Sequence, residues 1–325
     1  MVHVVLLFLL LSAGSVFAEE KLLTAKEILQ NMVKAMAESD YQGTVVFLKN
    51  DKLEAMKYFH TASNNKEQER LLSLNSPPRE IVRNSDEIKC LYKLTRQVII
   101  DHRPYEHSFI VDAPKNLDEL DASYRFDVVG EEDVAMLPAF VVAIEPKDDF
   151  RYVRKIWVAK QQFLPLKAVV FGPNGLVLEQ VIFTEIQVNK QTQPVNTIAA
   201  AKSLLDSPET PIAAETAQAA FELTALPKGF KEIFFSRKPL RKTSGQPVDH
   251  LLLSDGFASV SVYLEAKQDN AAADSGVPEG MHTVGAVNSI SRNLADAQLT
   301  VLGEVPASTV KFIAENVKLR NATAP

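Results

Sequence analysis

The 325-residue sequence has a single cysteine, Cys90, a single tryptophan, Trp157, and no excess of basic side chains. One cysteine excludes an internal disulfide framework and a cysteine-based structural zinc site. The formal net charge is −6, whereas proteins that bind nucleic acid non-specifically carry a basic excess, so that class is disfavoured. Residues 218–325 contain equal numbers of acidic and basic side chains, so the negative charge lies in residues 19–217.

Motifs of the common enzyme classes are also missing. The sequence contains no G-x-S-x-G, P-loop, G-x-G-x-x-G or H-E-x-x-H pattern. Its histidines are dispersed, and the pair His102 and His107 would need a third ligand from elsewhere to hold a metal ion. The sequence therefore predicts no catalytic residue, no metal site and no cofactor.

Long apolar runs are absent apart from the N-terminus. Val4–Leu11 is unbroken and apolar, but it is too short to span a bilayer. Small residues and then Val16-Phe17-Ala18 follow, which predicts a signal peptide over residues 1–18 with the cut after Ala18. The alternative is a buried N-terminal strand or helix, which Glu19-Glu20-Lys21 would end abruptly. We expect an exported mature chain without a lipid anchor.

The first part of the mature chain predicts one helix followed by many strands. Thr24 and Glu27 form a capping box ahead of an apolar stripe at helical spacing, made of Ile28, Leu29, Met32, Val33 and Met36. From Tyr41 to Val188 short strands follow one another, interrupted by a short helix over Pro114–Ser123. Asn174-Gly175 favours a primed hairpin turn. Strands joined by tight turns predict an antiparallel meander.

Composition predicts a second domain. Residues 19–205 form the predicted large domain, which ends in a helix near 196–205, and residues 206–217 are a predicted linker rich in Ala, Thr and Pro. Residues 218–325 form the predicted small domain. Its strands include one over His282–Ile290, and Pro306 opens a last helix.

A few side chains allow more than one interpretation. Cys90 fits a buried inert thiol or an exposed one able to pair with another chain. Trp157 fits a sheet aromatic packed on the helix or an aromatic lining a ligand surface. The basic cluster, defined as Arg237, Lys238, Arg241 and Lys242, fits either a solvated edge loop or a docking patch for an acidic partner or an anionic lipid head group. Leu240, which lies within it, is a further candidate for contact with a partner.

Stretches along nearly the whole mature chain resemble the RseB/MucB family of periplasmic regulators. In order they are Ser76–Arg83, Tyr152–Trp157, Leu164–Leu166, Gly175–Phe183, Leu226–Phe230, Ser236–Leu240, Leu253–Phe257, Leu302–Pro306 and Ile313–Val317. The resemblance implies an α+β fold: a large LolA-like curved antiparallel sheet, or half-barrel, wrapped around helices, and a smaller α/β C-terminal domain. This agrees with the predicted meander, early helix and domain boundary.

The resemblance also implies a function. Family members bind the periplasmic segment of a transmembrane anti-sigma factor of the RseA/MucA type and shield it from regulated proteolysis. Lipopolysaccharide or another lipid signal is expected to relieve the shielding. The basic cluster is then a candidate contact for the anti-sigma factor, and the chain is expected in the periplasm. The sequence leaves a homo-oligomer open.

A half-open sheet packed on a helix predicts an apolar surface that acyl chains could occupy. The candidate lining residues come from the helix and the first two strands: Met32, Met36, Tyr41, Val45, Phe47, Met56 and Tyr58. Each of them fits equally a side chain that fills a core. The competing function is a periplasmic lipoprotein or lipid carrier of the LolA/LolB type, against which the second domain argues, because a simple carrier needs only the first.

Overall fold

The computed structural model describes residues 22–49, 51–63, 66–75, 77–84, 88–92, 97–101, 108–111, 113–114, 116–189, 218–238, 247–266 and 279–320. They form a large and a smaller antiparallel sheet, each with its own apolar core. Within these ranges no helix combines the length and the apolar character that crossing a membrane requires. The predicted signal peptide, the predicted helix near 196–205 and the predicted linker lie outside the described residues.

The large sheet contains eleven strands. They are β1 (Asp40–Lys49), β2 (Lys52–Ser63), β3 (Lys66–Ser73), β4 (Arg79–Arg83), β5 (Ile88–Tyr92), β6 (Gln97–Asp101), β7 (Tyr124–Val134), β8 (Leu137–Pro146), β9 (Val153–Ala159), β10 (Pro165–Phe171) and β11 (Val177–Asn189). Their order is β6-β5-β4-β3-β2-β1-β11-β10-β9-β8-β7, and every neighbouring pair is antiparallel. The predicted antiparallel sheet is confirmed.

The pairing of β1 with β11 joins the two halves of this sheet. At a bulge beside Thr44 the backbone of β11 approaches β1 closely. A Cβ atom on Gly43 would lie 2.1 Å from the carbonyl oxygen of Glu185, so the approach requires glycine at this position.

Helix α1 (Ala25–Glu38) packs on one face of the sheet. Thr24 and Glu27 form the predicted capping box, in which each side chain bonds the other residue's backbone N–H. Four residues of the predicted stripe are buried, namely Ile28, Leu29, Met32 and Met36. Val33 is only half-buried, and Ala25 takes the fifth buried position. This amphipathic face supplies the centre of the large domain's main core.

The sheet curls strongly in its second half. Edge strand β7 contacts β11, although β8, β9 and β10 lie between them in hydrogen-bonding order. Neighbouring strands are about 4.8 Å apart, so a flat sheet would hold these two strands about 19 Å apart. Helix α1 likewise contacts β2, β9 and β7. The sheet therefore bends around its contents.

Both faces of the curled half carry apolar cores. Ile156 and Val158 of β9 face α1, whereas Trp157 points to the other face and packs with Val141, Leu166 and their neighbours in a second cluster. The expectation that Trp157 packs on the helix is wrong, because alternate side chains of a strand point to opposite faces.

The C-terminal domain has a six-stranded sheet in the order β13-β14-β15-β18-β17-β16, with a separate pair of β12 and β19. Its elements are β12 (Phe221–Leu223), β13 (Lys231–Lys238), β14 (Val248–Ser254), β15 (Ser259–Ala266), β16 (Gly280–Val284), β17 (Val287–Leu294), β18 (Ala297–Gly303), α2 (Ala307–Glu315) and β19 (Val317–Leu319). All strand pairs are antiparallel. The domain is therefore α+β and not the expected α/β, since its tight turns cannot join parallel strands.

Two other local predictions need correction. The strand predicted over His282–Ile290 is the hairpin β16–β17, which turns at Gly285 with φ 60°. The helix predicted over Pro114–Ser123 is a single 3₁₀ segment, Asp118–Ala122, because Asn116 Oδ1 accepts from the Asp118 amide in a local turn. The predicted primed turn is confirmed, since Asn174 and Gly175 have φ values of 58° and 76°.

Candidate functional site

A cavity of about 330 Å³ opens on the α1 side of the large sheet, next to the C-terminal domain. Its apolar lining comes from several strands and the segment 108–111, and includes Phe47, Phe109, Ile110, Ile156, Val170 and Val181. The carboxylate of Glu304, from the C-terminal domain, also lines it. The volume lies within the range of about 300–1,000 Å³ typical of small-molecule sites.

Charged groups gather where the two domains meet at this cavity. The ammonium of Lys49 lies 3.0 Å from Glu179 Oε1 and 2.7 Å from Glu304 Oε1. Burial and the neighbouring Glu304 carboxylate raise the pKa of Glu179, although Lys49 opposes this. Burial lowers the pKa of Lys49, but the two carboxylates outweigh it and the pKa is raised. Arg154 adds a second positive charge to the lining.

One wall of the cavity is the segment 108–111, and a buried carboxylate holds it to the sheet. Glu69 of β3 is fully buried. Its Oε2 accepts from the Phe109 amide at 2.8 Å and its Oε1 from Ser108 Oγ at 2.5 Å. Arg83 Nε and Tyr58 Oη also donate to it, at 3.1 and 3.0 Å. Burial and the Glu69 charge raise the pKa of Tyr58 well above its ordinary value, so the phenol stays protonated as a donor.

A buried ion pair joins the two domains. Arg151, in the loop between β8 and β9, donates through Nε to Asp255 Oδ2 in the turn between β14 and β15. Both side chains are fully buried. Tyr124 Oη donates to the same carboxylate oxygen at 2.7 Å, and Arg151 also donates to the carbonyl oxygen of Lys228.

The same turn inserts an aromatic ring into the large domain. Asp255 Oδ1 accepts from the Phe257 and Ala258 amides at 3.0 and 2.8 Å, which fixes the turn. Phe257 then packs edge-on against Tyr124, with centroids 5.4 Å apart, inside the large domain's core. The core of one domain is therefore completed by the other.

Three further hydrogen bonds extend the domain junction. Ser308 and Thr309 of α2 donate through their hydroxyls to the carbonyl oxygens of Asp149 and Phe150, at 2.8 and 2.7 Å. On β17, Asn288 Nδ2 donates to Tyr152 Oη at 2.9 Å. These bonds attach both the helix and the sheet of the small domain to the loop between β8 and β9.

The predicted lipid-pocket residues do not all lie in the same environment. Phe47 lines the cavity. The other six side chains are buried in the main core: Met32, Met36, Tyr41, Val45, Met56 and Tyr58. Tyr41 and Tyr58 are further tied to each other through hydroxyls 3.3 Å apart. Helix α1 therefore covers this part of the sheet, and the open space lies beyond it.

The basic cluster is described only in part. Arg237 forms a bidentate ion pair with Asp249, through Nε to Oδ1 and through a terminal nitrogen to Oδ2 at 2.8 Å. Its guanidinium thus already has a partner in its own domain. Lys238 ends β13, where the structure describes its backbone. Leu240, Arg241 and Lys242 lie outside the described residues.

The structure also places the two remaining side chains that the sequence left open, Cys90 and Trp157. Cys90 is half-buried on β5. The Trp157 indole N–H donates to Glu132 Oε2 at 2.8 Å, and the Lys167 ammonium lies 4.1 Å from its ring centroid. The ring also lines a second open cavity between β7 and β11, so it belongs to a ligand-accessible surface as well as to a core.

Arg151, Asp255 and Glu69 are not among the residues predicted from the sequence. In the sequence, Ser254-Asp255-Gly256 is a turn signal and no more. The signal that could have singled it out is the pair Phe257-Ala258 directly after it, since a large apolar side chain in a tight turn must be covered by another part of the molecule.

Comparisons with known proteins agree across both domains. The family model "MucB/RseB N-terminal domain" matches residues 24–203 and "MucB/RseB C-terminal domain" matches residues 215–318. The sigma-E factor regulatory protein RseB of Escherichia coli K12 is 28% identical over 90% of this chain and 89% of its own. The sigma factor AlgU regulatory protein MucB of Pseudomonas aeruginosa PAO1 is 27% identical over 95% and 96%.

Solved structures give the same result. The complex structure of Pseudomonas aeruginosa MucA/MucB matches with a TM-score of 0.70 and 25% identity, covering 92% of this chain and 99% of that one. A crystal structure of MucB in complex with MucA(peri) matches with a TM-score of 0.67 and 24% identity, covering 92% and 100%. With both domain models matched in order along the sequence, the chain belongs to the MucB/RseB family.

Proposed function

We propose that this protein is a periplasmic regulator of a sigma factor that acts by binding the periplasmic segment of a transmembrane anti-sigma factor. The observation that carries the proposal is the likeness to MucB of the MucA/MucB complex, which extends over 92% of this chain and includes both domains. The absence of enzyme motifs from the sequence agrees with a binding role.

Binding is expected to shield the segment from regulated proteolysis. A surface formed by two domains in buried contact suits this role, because a segment held along it is withdrawn from a protease that needs an extended and accessible substrate. The test uses the purified mature chain and the purified segment of the cell's own anti-sigma factor. Cleavage of the segment by the site-1 protease should slow in proportion to the fraction bound. Equal cleavage with and without saturating chain would contradict shielding.

The cavity is the proposed entry site for a lipid or lipopolysaccharide signal. Its apolar wall and its charged rim match a molecule with acyl chains and a polar head. Phe47 is the predicted pocket residue that reaches it. The other six candidates are buried in the core between α1 and the sheet. They would meet a ligand only if α1 moved away from the sheet.

A substitution at Phe47 tests the lipid proposal. Phe47→Asp places a carboxylate on the apolar wall, and we expect it to abolish lipopolysaccharide binding. Leu53→Asp is the control, because Leu53 is an exposed apolar residue on β2 outside the cavity. Circular dichroism checks that both variants are folded. Normal binding by a folded Phe47→Asp variant would remove this wall from the site.

The basic cluster remains a proposed contact for the anti-sigma factor. Because Arg237 is already paired with Asp249, the informative change is Arg241→Glu/Lys242→Glu. We expect weaker binding of the segment and a shallower dependence on salt, since rim charges mainly accelerate association. An affinity and a salt slope equal to those of the wild type would exclude these two side chains.

The alternative function, a lipoprotein or lipid carrier, is favoured by the cavity alone. A carrier would bind lipid and fail to bind the anti-sigma-factor segment. The lining of the cavity by Glu304 of the second domain favours the regulator, since lipid entering there touches both domains. A pull-down with the segment separates the two functions.

A further inference from the structure

Among the described strands, β16 is an edge of the C-terminal sheet, and one row of its backbone groups has no strand partner there. It joins β17 through a two-residue turn at Gly285 and Ala286, so that Val284 faces Val287 as a hydrogen-bonded pair. Hydrogen-bonded pairs alternate along an antiparallel ladder. The N–H and C=O groups of Met281 and Thr283 therefore point away from β17. No described strand pairs with that side of β16.

The side chains of β16 do not protect this edge. All five residues are exposed, including Met281 and Val284 at 40% and 58%. Natural edge strands are usually guarded by charges or proline, and the sequence Gly-Met-His-Thr-Val contains neither. The opposite edge, β13, carries Lys231, Glu232 and Arg237. Within the part of the chain that the structure describes, charged side chains protect the β13 edge of the sheet, whereas none protects the β16 edge.

The open edge lies next to the domain junction. Thr283 Oγ1 donates to Asn288 Oδ1 at 2.6 Å, and Asn288 Nδ2 donates to Tyr152 Oη of the large domain at 2.9 Å. A strand added to β16 would therefore continue a surface that both domains already form. Met281 lies opposite Ile290, which is half-buried on the face that packs against α2, so an apolar side chain of the added strand would find apolar neighbours there.

We propose that β16 is the docking edge for an extended part of the anti-sigma-factor segment, which adds to the sheet as a seventh, antiparallel or parallel strand. The inference rests on the proposed function, which supplies the occupant. An extended backbone is the kind of partner that can bond the outward N–H and C=O groups of β16, with which no described strand pairs. The absence of charge on β16 means that main-chain hydrogen bonds and apolar contacts give this part of the affinity, whereas charged contacts belong elsewhere.

Hydrogen exchange tests the inference directly on the full mature chain, alone and saturated with the purified segment. We expect the amides of Met281 and Thr283 to exchange quickly in the free chain and at least about tenfold more slowly in the complex. The amides of His282 and Val284, which face β17, serve as internal controls and should change little. Protection of Met281 and Thr283 in the absence of the segment, rising with protein concentration, would assign the edge to a second copy and overturn the proposal.

A pair of edge variants gives an independent result. Met281→Lys guards the open edge, and Ile233→Lys is the matched control, an exposed apolar residue on the opposite edge strand. Met281→Pro removes an outward donor while leaving the ladder to β17 intact. We expect both Met281 variants to weaken binding of the segment by about tenfold or more, with Ile233→Lys unchanged. A folded Met281→Lys variant that binds as the wild type does would overturn the inference but leave the proposed function standing, whereas failure of the wild type to bind would remove the proposed function itself.

Discussion

Arg151 is the side chain on which the domain junction depends most. Its guanidinium pairs with Asp255 where both groups are fully buried, and it lies over the rings of Tyr124 and Phe230 at 5.3 and 4.9 Å. Removing one partner of a buried pair leaves the other charge unpaired in an apolar environment, at a cost of about 3–5 kcal/mol. We expect Arg151→Ala to lower the free energy of unfolding in urea by about this amount.

Arg125 provides the control for this prediction. It pairs with Asp127 and Glu145 at the surface, where its own side chain is 64% exposed. Exposed pairs contribute about 0–1 kcal/mol, so Arg125→Ala should have a small effect. Equal destabilisation by the two variants would show that the buried ion pair of Arg151 contributes no more to stability than an exposed one.

Glu179 should make the stability depend on pH in an unusual direction. Burial raises its folded-state pKa above the ordinary value of 4.5. Between 4.5 and the raised pKa, the folded chain keeps a proton that the unfolded chain releases, so this group destabilises the fold progressively as the pH rises. Below pH 4.5 both states are protonated and the effect disappears.

The measurement compares the wild type with Glu179→Gln in urea between pH 4 and pH 7. We expect the stability difference to move in favour of Glu179→Gln as the pH rises. Lys49 keeps a partner in the variant, because Glu304 Oε1 lies 2.7 Å from its ammonium. A difference that is constant over this range would mean that the Glu179 carboxyl has its ordinary pKa.

At the level of single residues, the sequence could predict side chains with local partners. The capping pair Thr24 and Glu27 lies within one helical turn and is confirmed. Arg151 and Asp255 are 104 residues apart, and nothing in either local stretch shows that the two meet. The prediction for Arg237 failed to foresee Asp249 for the same reason, since the pairing needs the register of β13 against β14.

Helix α1 begins at a capping box whose strength can be measured. Thr24 Oγ1 accepts from the Glu27 amide at 3.2 Å, and replacing such a cap by alanine costs about 1 kcal/mol. We expect Thr24→Ala to lower the stability of the large domain by this amount, and Thr24→Ser to preserve it. Full loss in Thr24→Ser would mean that the threonine methyl group, and not the hydroxyl, stabilises the helix start.

Elements were predictable where periodicity and turn residues agreed. The alternation of β1 places Tyr41 and Val45 in the core. Asn174-Gly175 marks the turn between β10 and β11, where both residues adopt a positive φ. The hairpin β16–β17 was read as one strand because Gly285-Ala286 is a short and apolar turn within a β-rich stretch. Turn chemistry is a weak signal when the turn carries no Asn, Asp or Pro.

The arrangement of elements needed information beyond each strand. Meander neighbours follow from chain order, but the pairing of β1 with β11 joins residues more than a hundred positions apart. The contact of β7 with β11 is likewise between strands far apart in the chain, and β7 carries a bulge after Val128, a feature that bends a strand. The cavity is lined by residues from both halves of the chain, so sequence reasoning located only Phe47 in its wall, and the other six predicted pocket residues lie in the filled main core.

On the scale of the whole molecule, the two domains share structure that separate domains would not. Phe257 belongs to the small domain by sequence and to the large domain's core by position. Gly256 beside it has φ 104°, and a Cβ there would lie 3.0 Å from Pro114 of the large domain. The turn that carries both residues is therefore shaped for its neighbour, and we expect the mature chain to unfold in a single calorimetric transition.

Phe257→Ala tests this coupling. The change removes a fully buried ring, at a cost of about 3–5 kcal/mol, and it leaves each sheet otherwise complete. The expected result is a large domain that melts earlier, and two resolved transitions in place of one, because the loss falls on the contact between the domains. Phe235→Ala is the control, since Phe235 packs half-buried against the small domain's own core and its loss should lower one transition without separating two. The contrary outcome is a single transition in Phe257→Ala that shifts no further than the transition of Phe235→Ala. It would mean that Arg151 and the α2 hydroxyl contacts hold the domains together without the inserted ring.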